Sequence, residues 1–298
     1  NIQSMLQKAQ ANGAELRPHF KTHQSVDVGK WFKSEGITKA TVSSVDMALY
    51  FANAGWEDIT IAFPYNPLEA EAVEQLAKKI KLNVTIVSKA ALNHLNQHVK
   101  APLNYFIKVD VGTHRTGVLP GLKDEIQDMG QPLNPEHQLV GLLAHAGHTY
   151  QPMTEASAMA VFQQSMKDFK AVSEALGRDD LIISYGDTPS CSILEALPGV
   201  HEWRPGNFVF YDIMQEYFNS CSLDRVAVCM ACPVVAKHAD RNEVVVYGGG
   251  VHFSKDFIAP NGQKQFGKVV KLTEQGWESN PIALVDRLSQ EHGILKVS

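Results

Sequence analysis

The chain is poor in cysteine, in net charge and in long apolar runs. Four cysteines in 298 residues cannot make a disulfide framework, so the fold must rest on a packed core. That usage suits a reducing, cytoplasmic setting. The formal charge is −5 with 20% charged residues, which leaves no basic excess to attract nucleic acid. No apolar run in the sequence approaches the roughly 18 to 20 residues of a membrane span, and no secretory-signal pattern opens it. A glycine-rich nucleotide fingerprint is missing after the first strand-like run, which argues against a doubly wound open sheet. One Cys-x-x-Cys occurs, Cys229-Met230-Ala231-Cys232. It falls inside Val226–Val235, which has the composition of a strand, and no second pair completes a zinc site, so both thiols are expected to be small apolar fillers.

What is present is alternation. Strand-like runs at Glu15–Phe20, Thr38–Ser43, Ile59–Phe63, Asn83–Val87, Asn104–Asp110, Leu139–His145, Leu181–Tyr185 and Val200–Arg204 are mostly separated by helical patterns. Ser44–Ala54 and Pro67–Lys79 carry helix-start signals. Met153–Leu176 is the longest helix, with a Met/Phe stripe that predicts core packing. Eight strands alternating with helices predict an α/β fold, a (β/α)8 barrel over residues 1–205. After about Gly206 the pattern changes. Asn207–Ile213, Leu223–Lys237, Glu243–Tyr247 and Lys268–Leu272 look like strands, and His238–Asn242 like a hairpin turn, so a mostly β domain is expected over 206–298. The sequence opens inside a helical pattern and closes as a strand starts, so pieces are expected to be missing from both ends.

The chemistry gathers at the strand ends, where barrels place their sites. Arg17-Pro18-His19-Phe20-Lys21-Thr22-His23 sets a lysine at the mouth of the first strand, a position suited to Schiff-base formation. The fifth strand runs into Asp110–Gly117 with Arg115. The sixth ends His145-Ala146-Gly147-His148-Thr149-Tyr150, the seventh Ser184–Ser190, and the eighth Arg204-Pro205-Gly206-Asn207. The last two are small polar turns after adjacent final strands, where barrels commonly hold a phosphate. Gly186 and Gly206 would let the backbone approach the anion, and Thr188 and Ser190 could donate hydroxyls. The same turns also suit ordinary helix N-caps. A lysine opposite a phosphate cup points to pyridoxal 5'-phosphate. Tyr247-Gly248-Gly249-Gly250-Val251-His252 lacks the ending of a Walker loop. It is either a plain glycine-rich turn or a source of His252, Ser254 or Asp256 for the substrate or a neighbouring subunit.

These elements, with Glu291-His292-Gly293, resemble the D-threonine aldolase/D-serine dehydratase family of pyridoxal-phosphate enzymes, which share the alanine-racemase type of barrel. The resemblance runs through nearly the whole chain in order. It implies catalytic roles for Lys21, His148 and Arg115, with Lys21 carrying the cofactor and shuttling the Cα proton. Arg115 would lie near the cofactor's phenolic oxygen or the substrate carboxylate, or else form a buried pair with Asp110. His145 and His148 would flank the ring or substrate. Tyr150 would meet the pyridine nitrogen, and Gly186, Thr188, Gly206 and Asn207 would hold the phosphate. It further implies a divalent metal, held by a His-x-Cys or His-x-Asp pair beyond Ser298, and a homodimer.

The reaction expected is lyase chemistry on a small D-β-hydroxy amino acid. Aldolase cleavage to glycine and an aldehyde is the first expectation, and D-serine dehydratase chemistry the alternative. A racemase would need a second base, for which Tyr211 and Tyr217 are candidates by location. A non-catalytic cofactor-binding protein would resemble the barrel alone.

Overall fold

The computed structural model describes residues 1–278 and 280–297. The chain divides into two compact units, Asn1–Val209 and Phe210–Ser298.

The first unit is an eight-stranded parallel sheet: β1 (Glu15–Leu16), β2 (Lys39–Val42), β3 (Asp58–Pro64), β4 (Lys81–Ile86), β5 (Leu103–Lys108), β6 (His137–Ala144), β7 (Ile182–Tyr185) and β8 (Glu202–Trp203). The strand order is β1-β8-β7-β6-β5-β4-β3-β2. A parallel bridge from His19 to Thr41 joins β1 to β2 and closes the sheet on itself. All eight expected strands are present, but the first and last are short. Pro18 has no N–H to donate, yet its carbonyl accepts from Thr41, and Phe20 N–H returns a bond to the Thr41 carbonyl. The chain therefore stays extended to Phe20 beyond the two-residue ladder.

Alternation along this segment sorts its side chains. Leu16, Pro18 and Phe20 pack outward; the Phe20 ring lies 4.8–5.2 Å from those of Phe32, Phe51 and Trp56. Arg17, His19 and Lys21 take the opposite face. At the lower end of the barrel Arg17 is buried and bonds Asp58 at 2.6 Å and Glu202 at 2.8 Å. His19 and Lys21 lie nearer the upper mouth.

Five of the eight helices of this unit start at a capping side chain. The eight are α1 (Ile2–Ala11), α2 (Val26–Ser34), α3 (Val45–Asn53), α4 (Ala70–Ala77), α5 (Lys89–His98), α6 (Lys123–Met129), α7 (Glu155–Leu176) and α8 (Thr188–Ile193). Side chains of Ser25, Ser44, Ser88, Thr154 and Asp187 each accept from a backbone N–H in the first turn of the helix that follows. The long α7 buries Phe162 and Phe169, as its stripe predicts, and ends on Gly177 at φ +63°. Among the described residues no helix is long and apolar enough to cross a membrane.

The second unit holds a five-stranded antiparallel sheet built from β9 (Val234–His238), β10 (Glu243–Tyr247), β11 (Gly267–Val269), β14 (Ala283–Leu288) and β15 (His292–Val297). A separate hairpin pairs β12 (Leu272–Thr273) with β13 (Gly276–Trp277). Its core is Val246, Ala283, Val285 and Leu295. The expected hairpin turn is there, with Asn242 left-handed at φ +53°.

Two expectations fail after residue 206. Asn207–Ile213 is a 3-10 turn followed by a helix, α9 (Ile213–Tyr217), capped by Asp212, rather than a strand. Its Phe and Val content reflects burial of Phe208 and Val209, not extension. Most of Leu223–Lys237 is also not a strand. It opens with a 3-10 turn at Leu223–Arg225, and no ladder pairs the chain before Val234. Pro233, without an N–H, ends this unpaired stretch. Cys229 is consequently exposed instead of filling a core, whereas Cys232 is half-buried and packs against the core of the sheet.

Candidate active site

The upper mouth of the barrel opens into a cavity of about 730 Å³, within the range of small-molecule sites. Its walls come from the ends of β1, β2, β3, β5, β6, β7 and β8 and the loops beyond them. Four cations line it: Lys21, Lys108, Arg115 and Arg204. The one acidic side chain of the lining is Asp187.

Burial and mutual repulsion set the charges. Lys21 opens into the cavity, and enclosure by its walls, then Arg115 and Arg204, lower its ammonium pKa. Lys108 is buried more deeply, and its pKa falls to about 8 by desolvation, with Arg204, Arg115 and Lys21 adding to the effect. Its Nζ donates to the Ala62 carbonyl at 3.1 Å. Arg204 is fully enclosed. It donates from Nε to Ser184 Oγ at 2.8 Å and from its NH2 group to the Ala144 and Ser184 carbonyls.

Two histidines are held neutral. Burial pushes His19 well below its ordinary value, and Lys21 and Arg204 push it further. His145 is lowered to about 3, mainly by burial. The contact of His145 Nδ1 with the Gly186 carbonyl at 3.0 Å requires Nδ1 to carry the proton, since a carbonyl only accepts. Its Nε2 is therefore an acceptor. Asp187 is buried, its pKa raised by desolvation. Its Oδ1 accepts from Thr149 Oγ1 at 2.7 Å and from Ser190 N–H at 2.7 Å.

Between β7 and β8 three backbone N–H groups converge. Those of Gly206 and Asn207 donate to Thr188 Oγ1 at 3.3 and 3.0 Å, and that of Thr188 donates to Tyr150 Oη at 3.3 Å. A Cβ on Gly206 would stand 2.9 Å from the His19 carbonyl oxygen, so glycine is needed for β8 to approach β1. Gly186 answers a similar demand, since a Cβ there would meet Arg204 N at 2.6 Å. Convergent N–H donors with hydroxyl partners, a glycine at the rim and a cationic lining are the donor chemistry a phosphorylated, anionic cofactor requires. These residues fit pyridoxal phosphate.

The structure thus brings Lys21, Arg115, His145, Tyr150, Gly206 and Asn207 onto one cavity, with Thr188 behind them. His148 lies beside it, packed on Gly112 and Thr113, rather than on its wall. Asp110 binds the N–H groups of Gly112 and His114 and faces the His114 ring; among the described residues no salt bridge ties it to Arg115. His23, two residues past Lys21, turns away into the aromatic cluster, 5.6 Å from Phe32 and 4.6 Å from Phe20. Lys108, Arg204, His19 and Asp187 join the site without a motif that marks them as functional. The available signal was a charged residue inside an otherwise apolar strand, as in Tyr105-Phe106-Ile107-Lys108-Val109. Among the described residues no group of three or more His, Cys, Asp or Glu side chains converges into a metal site.

Comparison with known proteins agrees with this geometry. The family model described as "Alanine racemase, N-terminal domain" matches residues 1–213, and "Putative serine dehydratase domain" matches 227–298. The chain is 30% identical to D-threo-3-hydroxyaspartate dehydratase of Delftia sp. (strain HT23), over 99% of this chain and 80% of that protein. It is also 30% identical to D-serine dehydratase of Dictyostelium discoideum, over 86% of this chain and 71% of that protein. The solved structure of the Delftia enzyme superposes with a TM-score of 0.88 at 28% identity, covering all of this chain and 80% of that one. D-threonine aldolase from Filomicrobium marinum shares the fold, with a TM-score of 0.77 at 20% identity, covering all of this chain and 79% of that one. The two family models together span nearly the whole chain, and the chain belongs to the alanine racemase N-terminal domain family, joined to a putative serine dehydratase domain, with the architecture of a pyridoxal-phosphate lyase.

Proposed function

We propose that the protein is a pyridoxal-phosphate-dependent dehydratase of small D-β-hydroxy amino acids, releasing a 2-oxo acid and ammonia. The observation that carries this reading is Lys21, its pKa lowered, in a cationic cavity beside the Thr188–Gly206–Asn207 cup. The dehydratase alternative now stands ahead of the aldolase expectation, because the two relatives at 30% identity are dehydratases. The aldolase is a likeness of fold.

When bound, the cofactor supplies a sink for the electron pair left at Cα. Lys21 holds the cofactor and, as a free amine, takes the Cα proton; its lowered pKa raises the fraction of amine at neutral pH. The N–H groups of Gly206 and Asn207 and the hydroxyl of Thr188 hold the phosphate. Arg115 and Lys108 supply positive charge for the substrate carboxylate, and His145 Nε2 offers a neutral acceptor on the cavity wall. Hydrogen from Cα and the β-hydroxyl leave together as water, and hydrolysis of the unsaturated amine gives the 2-oxo acid and ammonia. Among the described residues no three or more His, Cys, Asp or Glu side chains form the divalent metal centre implied by the resemblance, and no step is assigned to a metal.

The test is incubation of the protein, with cofactor and Zn²⁺ or Mn²⁺, with D-serine, D-threo-3-hydroxyaspartate and D-threonine. Equimolar 2-oxo acid and ammonia support dehydration, whereas glycine and an aldehyde would restore the aldolase. Borohydride reduction and peptide mapping should place the cofactor on Lys21. Lys21→Ala should abolish that adduct and lower turnover at least about a thousandfold.

A further inference from the structure

β3 and β4 lose register at the rim of the barrel. Thr60 pairs with Asn83 and Pro64 with Thr85, so Ile61, Ala62 and Phe63 stand opposite Val84 alone. Bulges are rare between parallel strands and recur beside active sites, where they re-aim a side chain. This one is pinned by side chains of β4 and of β5, the strand beyond it. The Ala62 carbonyl accepts from Lys108 Nζ at 3.1 Å, and the Phe63 carbonyl accepts from Thr85 Oγ1 at 2.7 Å.

The bulge delivers Phe63 to the mouth, where its residue surface is 62% exposed. It borders two spaces. One is the Lys21 cavity; the other is a cavity of about 330 Å³ outside the strand wall, and their linings share Ser43 and Phe63. Ile61, Val73, Val84 and the ring of Tyr65 give the second space its mainly apolar walls. An aryl or branched alkyl group has the chemistry to fill it.

We propose that Phe63 is a specificity-determining residue. Its ring is the partition that confines the β-substituent of the amino acid to the polar cavity and denies it the apolar annex. The substrates favoured are therefore D-β-hydroxy amino acids with a small or polar β-substituent, and β-aryl ones are refused. This rests on the reading that the amino acid binds at Lys21.

The holoenzyme and its Phe63→Ala and Phe63→Trp variants test it. Dissociation constants for D-alanine and D-phenylalanine, which lack the hydroxyl to eliminate, follow from the cofactor's absorbance change on binding; kcat/KM for D-serine and D-threo-β-phenylserine gives a second readout. Phe63→Ala should shift both ratios towards the aryl compound by at least about tenfold. Phe63→Trp, which keeps the partition, should show no such shift. Unchanged ratios in Phe63→Ala, or an equal shift in Phe63→Trp, would overturn the partition. If the parent protein binds neither D-alanine nor D-phenylalanine, the amino-acid reading itself fails and the partition falls with it.

Discussion

Replacing Arg17 by Met removes the one cation between two carboxylates at the closed end of the barrel. Arg17 is buried and sits 2.6 Å from Asp58 and 2.8 Å from Glu202. The two acids lose unequally. Asp58 keeps Lys81 at 3.4 Å and an N–H bond from Asn83 at 3.0 Å. Glu202 is buried, its Oε2 is already without a partner, and among the described residues its one salt bridge is to Arg17. Breaking a buried pair and stranding one charge costs about 3 to 5 kcal/mol. That is a large share of a stability of roughly 5 to 15 kcal/mol, and for a unit of this size it lowers Tm by roughly 6 to 20 °C.

The double variant Arg17→Met with Glu202→Gln removes the stranded charge and should recover most of the loss. The pH dependence has a definite sign. Burial alone would raise the Asp58 carboxyl, but Arg17, Lys81 and Asn83 bring it below its ordinary value. Its stabilising contribution is therefore full above the ordinary carboxylate range and lost as pH falls through the depressed native value. The gap between parent and Arg17→Met should be widest near neutrality and narrow below about pH 4. Urea and thermal unfolding of the three proteins measure this. A single variant that loses less than about 1 kcal/mol, the value of an exposed pair, would refute the argument.

Thr188→Val keeps the shape of the cup but deletes the oxygen that receives two N–H groups. Cofactor affinity, read by equilibrium dialysis, should fall roughly tenfold, as expected for about 1 to 2 kcal/mol of lost hydrogen bonding. His145, lowered to about 3, stays neutral through the physiological range. The unfolded chain takes up this proton first as pH falls from about 6.5 towards 3, so stability declines over that window. His145→Gln should flatten the decline in acid-unfolding curves, and an unchanged slope would contradict the burial argument.

The barrel was legible because strand-like and helix-like patterns alternate along the chain and several helices carry a recognisable cap residue. Ser25, Ser44, Ser88 and Asp187 do in the structure what their types predict. Lys21 was legible because it ends a run whose alternate residues, Arg17 and His19, share its face. Arg204 and Lys108 were harder to see. Each adds to the positive charge of the cavity only because the closed sheet points strand ends from distant parts of the chain at one space. The failures after residue 206 have a common cause. In Phe208–Tyr211 and Val226–Pro233 strand-like composition meets no ladder partner; burial of the first and exposure of most of the second are tertiary outcomes that local composition does not encode. Tyr211, at φ +51°, marks a backbone turn that its β propensity hides.

The join between β1 and β2 has a kinetic corollary. Elsewhere adjacent strands share ladders of two or more residue pairs, but here one bridge closes the ring, with Thr41 N–H donating to the Pro18 carbonyl and the Thr41 carbonyl accepting from Phe20 N–H. Amide exchange of Phe20 and Thr41 therefore reports the first local opening of the ring, one residue from the lysine whose position the closed ring defines.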